Sequence, residues 1–414
     1  MKFNKWTLGL ATVGAVSLAS AVRADEAKMS QLQTALSNTT ISGYVDVAAQ
    51  YNTGNQHGIL EGASSVPAGT GNNGLSAASK LDSFSLNDVD VAIDKPEDDS
   101  PWTSGYHIDL NWGTDAIDGI GNVGANLISG NASSSIQSVQ NFGVRQAYVV
   151  MRTPVGNGID WKVGVMDDII GYEGNTDGGN PNYTRSVGYS LEPTTLTGLI
   201  GTYQICKIVS VTGGIADATS GNGALSSKAF AGAVALTAPD SWGWAKGATA
   251  NIGTVLNLEK GGQNNFYAGV TVPTPWSMLK VGGAFDLASV ADEGAGAGGP
   301  HNDSGWDLSA YANVQATDKL SFNLRGEFFD LEAGVNPYSF GTPNLFNNGT
   351  GEEITATAQY NLWANVISRV EFRWDHIDTG EAFGGSPGVG IGGGGSGPAT
   401  ADSFLLAVNL IYTF

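Results

Sequence analysis

The last twelve residues, Ser403 to Phe414, read SFLLAVNLIYTF and restrict the possible folds more than any other stretch of the chain. In an extended strand successive side chains point to opposite faces. One face then collects Phe404, Leu406, Val408, Leu410, Tyr412 and Phe414, and the other collects Ser403, Leu405, Ala407, Asn409, Ile411 and Thr413. A strand that is wholly apolar on one face and carries aromatics near both ends suits the lipid side of a membrane barrel, whose apolar band lies between two aromatic girdles. The competing reading is a buried strand closing a soluble β-sandwich.

Charged residues elsewhere decide between them. Over 366–376, Val366, Val370, Phe372 and Trp374 oppose Arg369, Glu371, Arg373 and Asp375. Over 319–331, Leu320, Phe322, Leu324 and Phe328 oppose Ser321, Asn323, Arg325 and Glu327. An Arg on the lipid face at mid-depth costs about 2–4 kcal/mol, so these charges must face a wet lumen. Over 102–112 the aromatic face runs from Trp102 to Trp112 and the other face holds His107, Asp109 and Asn111. Trp102, Trp112, Tyr412 and Phe414 are therefore expected in the lipid-facing girdles. In 144–153, Arg145 and Arg152 fall on opposite faces by alternation, so one of them is expected at a rim.

From Thr40 onward the period is two. Strands are predicted over roughly 40–51, 84–95, 102–112, 144–153, 159–166, 196–205, 207–216, 228–237, 246–256, 264–272, 278–289, 305–316, 319–331, 353–362, 366–376 and 403–414. That gives about sixteen, an even number, as closed antiparallel bacterial barrels require. Long connections alternate with short ones rich in turn residues, such as Pro154-Val155-Gly156-Asn157-Gly158 and Pro273-Thr274-Pro275. The expectation is an all-β chain: a closed antiparallel transmembrane β-barrel of about sixteen strands, with short periplasmic turns and long extracellular loops. Past the N-terminus no apolar run approaches the roughly 18 residues that a spanning helix needs.

The N-terminus has Lys2 and Lys5, an apolar stretch from Trp6 to Leu18 and small residues to Ala24, the pattern of a secretory signal peptide. Cleavage after Ala21 or after Ala24 fits. Residues 1–24 are read as the signal, 25–39 as a short periplasmic segment with helical spacing, and 40–414 as the barrel. The later cut removes Lys2, Lys5 and Arg23 and takes the formal charge from −20 to −23, which argues against a nucleic-acid partner. The lone Cys206 permits no internal disulfide and reads as a small turn residue.

The segments TTISGYVD (39–46), RQAYVVMRTPVGNGIDWKVGVMDDIIGYE (145–173) and NPNYTRSVGYSLEPTTLTGL (180–199) resemble the OmpL-like β-barrel porins of the porin-2 family. The resemblance covers essentially the mature chain and implies an outer-membrane porin fold, without naming a solute. The C-terminal strand likewise resembles the signature by which the barrel assembly machinery recognises its clients. Porins of this strand number imply a homotrimer.

The third long connection, 167–195, follows the fifth strand, where general porins place an inward constriction loop. Asp167, Asp168, Glu173, Asp177 and Arg185 are the candidate constriction residues. They would face a lumen wall carrying Lys162, Arg325, Glu327, Arg369, Glu371, Arg373 and Asp375, setting a transverse field that discriminates among solutes. Alternatively the loop is an ordinary acidic surface loop, and the alternating charges of 369–375 neutralise one another across strands. No catalytic residue, cofactor or metal is expected. Gly384-Gly385-Ser386-Pro387-Gly388 fits a nucleophile elbow in pattern, but Pro387 lacks the backbone N–H of the oxyanion hole. The four histidines show no metal spacing. The function read from the sequence is passive diffusion of small hydrophilic solutes or ions by a barrel embedded in outer-membrane lipid of a Gram-negative-type bacterium. The alternatives are a plugged structural or adhesive barrel displaying long loops and an outer-membrane hydrolase.

Overall fold

A computed structural model describes residues 38–52, 83–113, 115, 142–193, 195–218, 228–259, 262–292, 301–332, 335, 349–378, 383 and 400–414. The signal and all but the last two residues of the 25–39 segment lie outside the described residues, as does most of the glycine-rich stretch after 378. Sixteen strands follow one another: β1 (Thr40–Asn52), β2 (Ser83–Lys95), β3 (Ser104–Trp112), β4 (Phe142–Thr153), β5 (Ile159–Asp167), β6 (Thr195–Gln204), β7 (Val209–Ala218) and β8 (Lys228–Thr237) make the first half. The second half is β9 (Thr249–Asn257), β10 (Gln263–Pro273), β11 (Leu279–Asp292), β12 (His301–Gln315), β13 (Leu320–Leu331), β14 (Gly349–Trp363), β15 (Val366–Ile377) and β16 (Asp402–Thr413). Every strand pairs antiparallel with its sequence neighbour, and β16 returns to β1, so the sheet is one closed barrel without edges.

The alternation in the sequence becomes two surfaces. Along β13, Phe322, Leu324 and Phe328 are exposed on the outside, while Ser321, Asn323, Arg325 and Glu327 are buried inside. In β16, Leu406, Val408, Leu410 and Tyr412 face out and Leu405, Ala407, Asn409 and Ile411 face in. Among the described residues no helix is long and apolar enough to cross a membrane.

At the short-turn end the exposed tryptophans are Trp102, Trp242, Trp244, Trp276 and Trp363. Trp102 lies in the turn before β3, which starts two residues later than the pattern suggested, and holds a left-handed backbone at φ 62°. Trp112 ends β3 half-buried, and Tyr412 faces out. Phe414 ends the chain beyond β16, half-buried, and is among the residues bordering the cavity described below. Its backbone exchanges two hydrogen bonds with Gly43, of 3.1 and 3.0 Å, and its ring covers that residue. A Cβ on Gly43 would lie 2.9 Å from the ring and 2.1 Å from the Asp90 carbonyl, so only glycine fits there.

The conflict between Arg145 and Arg152 is settled by a bulge. In the β3–β4 register Asp109 pairs with Gln146 and Leu110 with Val144, which leaves Arg145 as the extra residue. Arg145 and Gln146 both reach inward as a result, and Arg152 sits at the periplasmic turn on Asp160 and the Asn157 carbonyl.

The candidate pore constriction

The chain leaves β5 at Asp167 and does not stay outside the barrel. Residues 168–193 fold into the lumen, and nearly all of them are buried. The inward faces of β7 and β8 are lined by Ala216, Ala229, Ala231 and Ala233, small side chains that leave room for Met166, Ile169, Ile170 and Tyr172. Burying each large side chain there stabilises the inward conformation by about 1.5–3 kcal/mol. Tyr172 stacks on Tyr311 with ring centroids 4.0 Å apart. This sector is apolar, in contrast to the polar inward faces of β3, β13 and β15.

The loop then turns through Glu173, a 3-10 turn at Asp177–Gly179 and a short helix, α1 (Val187–Leu191), whose first turn is capped by Ser186 Oγ accepting from the Tyr189 N–H at 3.0 Å. A tip this short cannot satisfy its own backbone, and buried unpaired groups are costly. The wall satisfies it. Arg325 donates to Glu173 and to the Thr184 carbonyl, both at 2.8 Å, and to the Arg185 carbonyl at 3.1 Å. Arg369 donates to the carbonyls of Asp177 and Asn180, at 3.1 and 2.8 Å, and Arg373 to that of Arg185 at 2.7 Å. Glu371 accepts from the backbone N–H of Tyr183 and of Thr184, and Glu327 accepts from that of Val187 at 2.9 Å. Where α1 meets β11 and β12, a Cβ on Gly188 would lie 2.7 Å from an Asp286 oxygen.

The residues anticipated at the constriction thus divide. Asp167 and Asp168 border an internal cavity of about 580 Å³ on the β1–β7 side. Glu173, Asp177 and Arg185 do not border it: Glu173 pairs with Arg325, and Asp177 pairs with Arg185 at 2.8 Å. Of the anticipated wall residues Lys162 lines the cavity. Arg325, Glu327, Arg369, Glu371, Arg373 and Asp375 lie buried beneath the loop, neutralising one another and gripping it. They are a clamp, not a free lumen field, because the loop covers them.

The cavity wall carries Asp90, Asp94, Glu97, Asp109, Asp167 and Asp168 against Arg145, Lys162 and His107. Arg145 is committed: it contacts Asp109, lies 3.3 Å from Asp167 and 3.9 Å from Asp90. Tyr44 donates to Asp88 at 2.6 Å, and Asn111 does the same. His107 stacks on Tyr148 and hydrogen-bonds Asp94 at 3.1 Å. Asp90, Asp94, Asp109, Arg145 and Tyr148 were absent from the anticipated site. Their signal was the spacing of Asp88, Asp90 and Asp94 in one strand and of His107 and Asp109 in the next.

Asp168 and Glu97, two carboxyls outside the strands that border the cavity, have shifted acidities. Burial, followed by the charges of Asp167 and Asp286, holds Asp168 well above the usual carboxylate range. Glu97, on the turn after β2, is pushed up to about 8 by burial and by neighbouring Asp160, with Asp98 adding to the shift and Arg152 opposing it. Glu97 is therefore mostly neutral at pH 7 and gains charge above its raised value. Cation preference measured by reversal potential is expected to increase as pH rises through about 8, and the increase should be smaller in Glu97→Gln.

A family model described as Putative beta-barrel porin-2, OmpL-like matches residues 38–414. Among solved structures the fold is similar to the outer membrane channel DcaP of Acinetobacter baumannii, with a TM-score of 0.59 at 10% identity over 91% of this chain and 97% of that one. It is similar to OmpT of Vibrio cholerae, with 0.55 at 10% over 93% and 100%. An anion-selective porin from Comamonas acidovorans gives 0.51 at 12% over 91% and 99%. No curated protein sequence matches the chain.

Proposed function

Because the chain belongs to the OmpL-like porin-2 family of outer-membrane β-barrels, we infer that it is a passive diffusion channel for small hydrophilic solutes, filtering by size and charge and forming no covalent intermediate. The observation that carries this is the arrangement of the third long connection. The loop narrows the barrel from one side and leaves a charged cavity of about 580 Å³ along the other, with Asp94 and Glu97 towards the periplasmic turns. Charged walls around a narrow passage discriminate among ions by their field. The outward apolar faces and turn-side tryptophans fit outer-membrane lipid, and the C-terminal strand fits recognition by the barrel assembly machinery after removal of the signal at Ala21 or Ala24. Vibrio cholerae OmpT has been solved in a trimer form, and a homotrimer is the assembly we propose here.

A plugged barrel displaying its outer loops is the second reading, favoured by the burial of the inward loop against β11 to β15. Single-channel recording in a planar bilayer separates the two. We expect steady conductance steps and a cation-shifted reversal potential in a salt gradient. Silence from a barrel that still shows the heat-dependent gel shift of a folded porin would overturn the channel reading.

A further inference from the structure

Lys162 lines the cavity yet forms no salt bridge among the described residues. Its ammonium stands over the Tyr148 ring, 4.6 Å from the centroid. Tyr148 and Lys162 share their cavity with two carboxylates, Asp94, which is hydrogen-bonded to the His107 that stacks on Tyr148, and Asp167. Both carboxylates are accessible, with side-chain exposures of 38% and 23%. The other permanent cation of the wall, Arg145, is held by Asp109 and Asp167 and is not free to move. An aromatic face flanked by carboxylates is a surface suited to a cation, worth about 0.5–2 kcal/mol from the ring alone.

Resting on the channel reading above, we propose that this is a saturable seat for small organic cations bearing a primary ammonium, in which Lys162 is the protein's own tethered occupant. A passing ammonium takes the place over Tyr148 between Asp94 and Asp167 while Lys162 swings aside on its flexible stem. A cavity of about 580 Å³ lies within the roughly 300–1,000 Å³ typical of small-molecule sites. Neutral solutes of the same length gain nothing from the carboxylates, and anions are repelled by them.

The test uses the full folded barrel in a planar bilayer carrying potassium current, with butane-1,4-diamine as probe and butane-1,4-diol as its uncharged equal in length. The diamine is expected to reduce the potassium current in a concentration-dependent, saturating way, and the diol is not. Tyr148→Leu should raise the half-blocking concentration about two- to thirtyfold, the range that a cation–ring contact supplies, and Asp94→Asn should raise it as well. Lys162→Met, which vacates the seat, should lower it. Equal effects of diamine and diol in a conducting barrel, or weaker block in Lys162→Met, would overturn the seat and leave the channel standing. Absence of conductance from folded protein would remove the channel reading, and the seat with it.

Discussion

Arg325→Ala is expected to release the inward loop: single-channel conductance should rise severalfold, and the folded band should be lost at a lower temperature. Arg325 is fully buried and lies 2.8 Å from Glu173, 3.3 Å from Glu327 and 3.0 Å from Glu353, while also holding the Thr184 and Arg185 carbonyls. Removing one partner of a buried ion pair leaves uncompensated charge and costs about 3–5 kcal/mol. Here three carboxylates would lose their partner, Glu353 keeping Arg373 at 3.8 Å. The loop can escape that penalty by leaving the wall and letting water in. The apolar start of the loop, at Ile169 and Ile170, should stay docked on the alanine-lined sector, so the opening is expected on the β12–β15 side. An unchanged conductance in a folded Arg325→Ala barrel would show that the clamp does not set the pore's width.

The second large effect is expected one residue away. Leu324 is on the outside of β13, half-exposed, while Arg325 is on the inside. Leu324→Arg should destabilise the barrel in lipid by about 2–4 kcal/mol if the position lies near the bilayer midplane, read as a lower midpoint of denaturant unfolding in vesicles. Neighbouring positions of one strand thus give opposite rules: arginine is required at 325 and excluded at 324. A neutral result at 324 would mean that this face of β13 is covered by something other than hydrocarbon.

The strands were legible because their signal is local. Period two, interrupted by turn residues, is written into each segment of ten or so residues, and the even count and closure follow from having no tolerable edge in lipid. Burial direction was legible for the same reason at Arg325, Glu327, Arg369, Glu371, Arg373 and Asp375. Alternation failed at Arg145, where an added residue in β4 shifts the register against β3. A bulge leaves no strong mark in a single strand.

By itself the sequence determined that this chain is a closed barrel, which face of most strands turns outward, and that the connection after β5 carries charge of both signs. What charge on an inward face does depends on what stands opposite, and that was decided by the tertiary structure. The loop reaches across the lumen to residues well over a hundred positions away, such as Glu371 and Arg369. Where it lands, arginines and carboxylates become buried partners of its backbone. Where it does not, Asp94, Asp109, Asp167 and Lys162 remain as the walls of a cavity. Alternation fixes direction, but covering and pairing are three-dimensional facts, because an ion pair's energy depends on separation and solvent access and not on spacing along the chain.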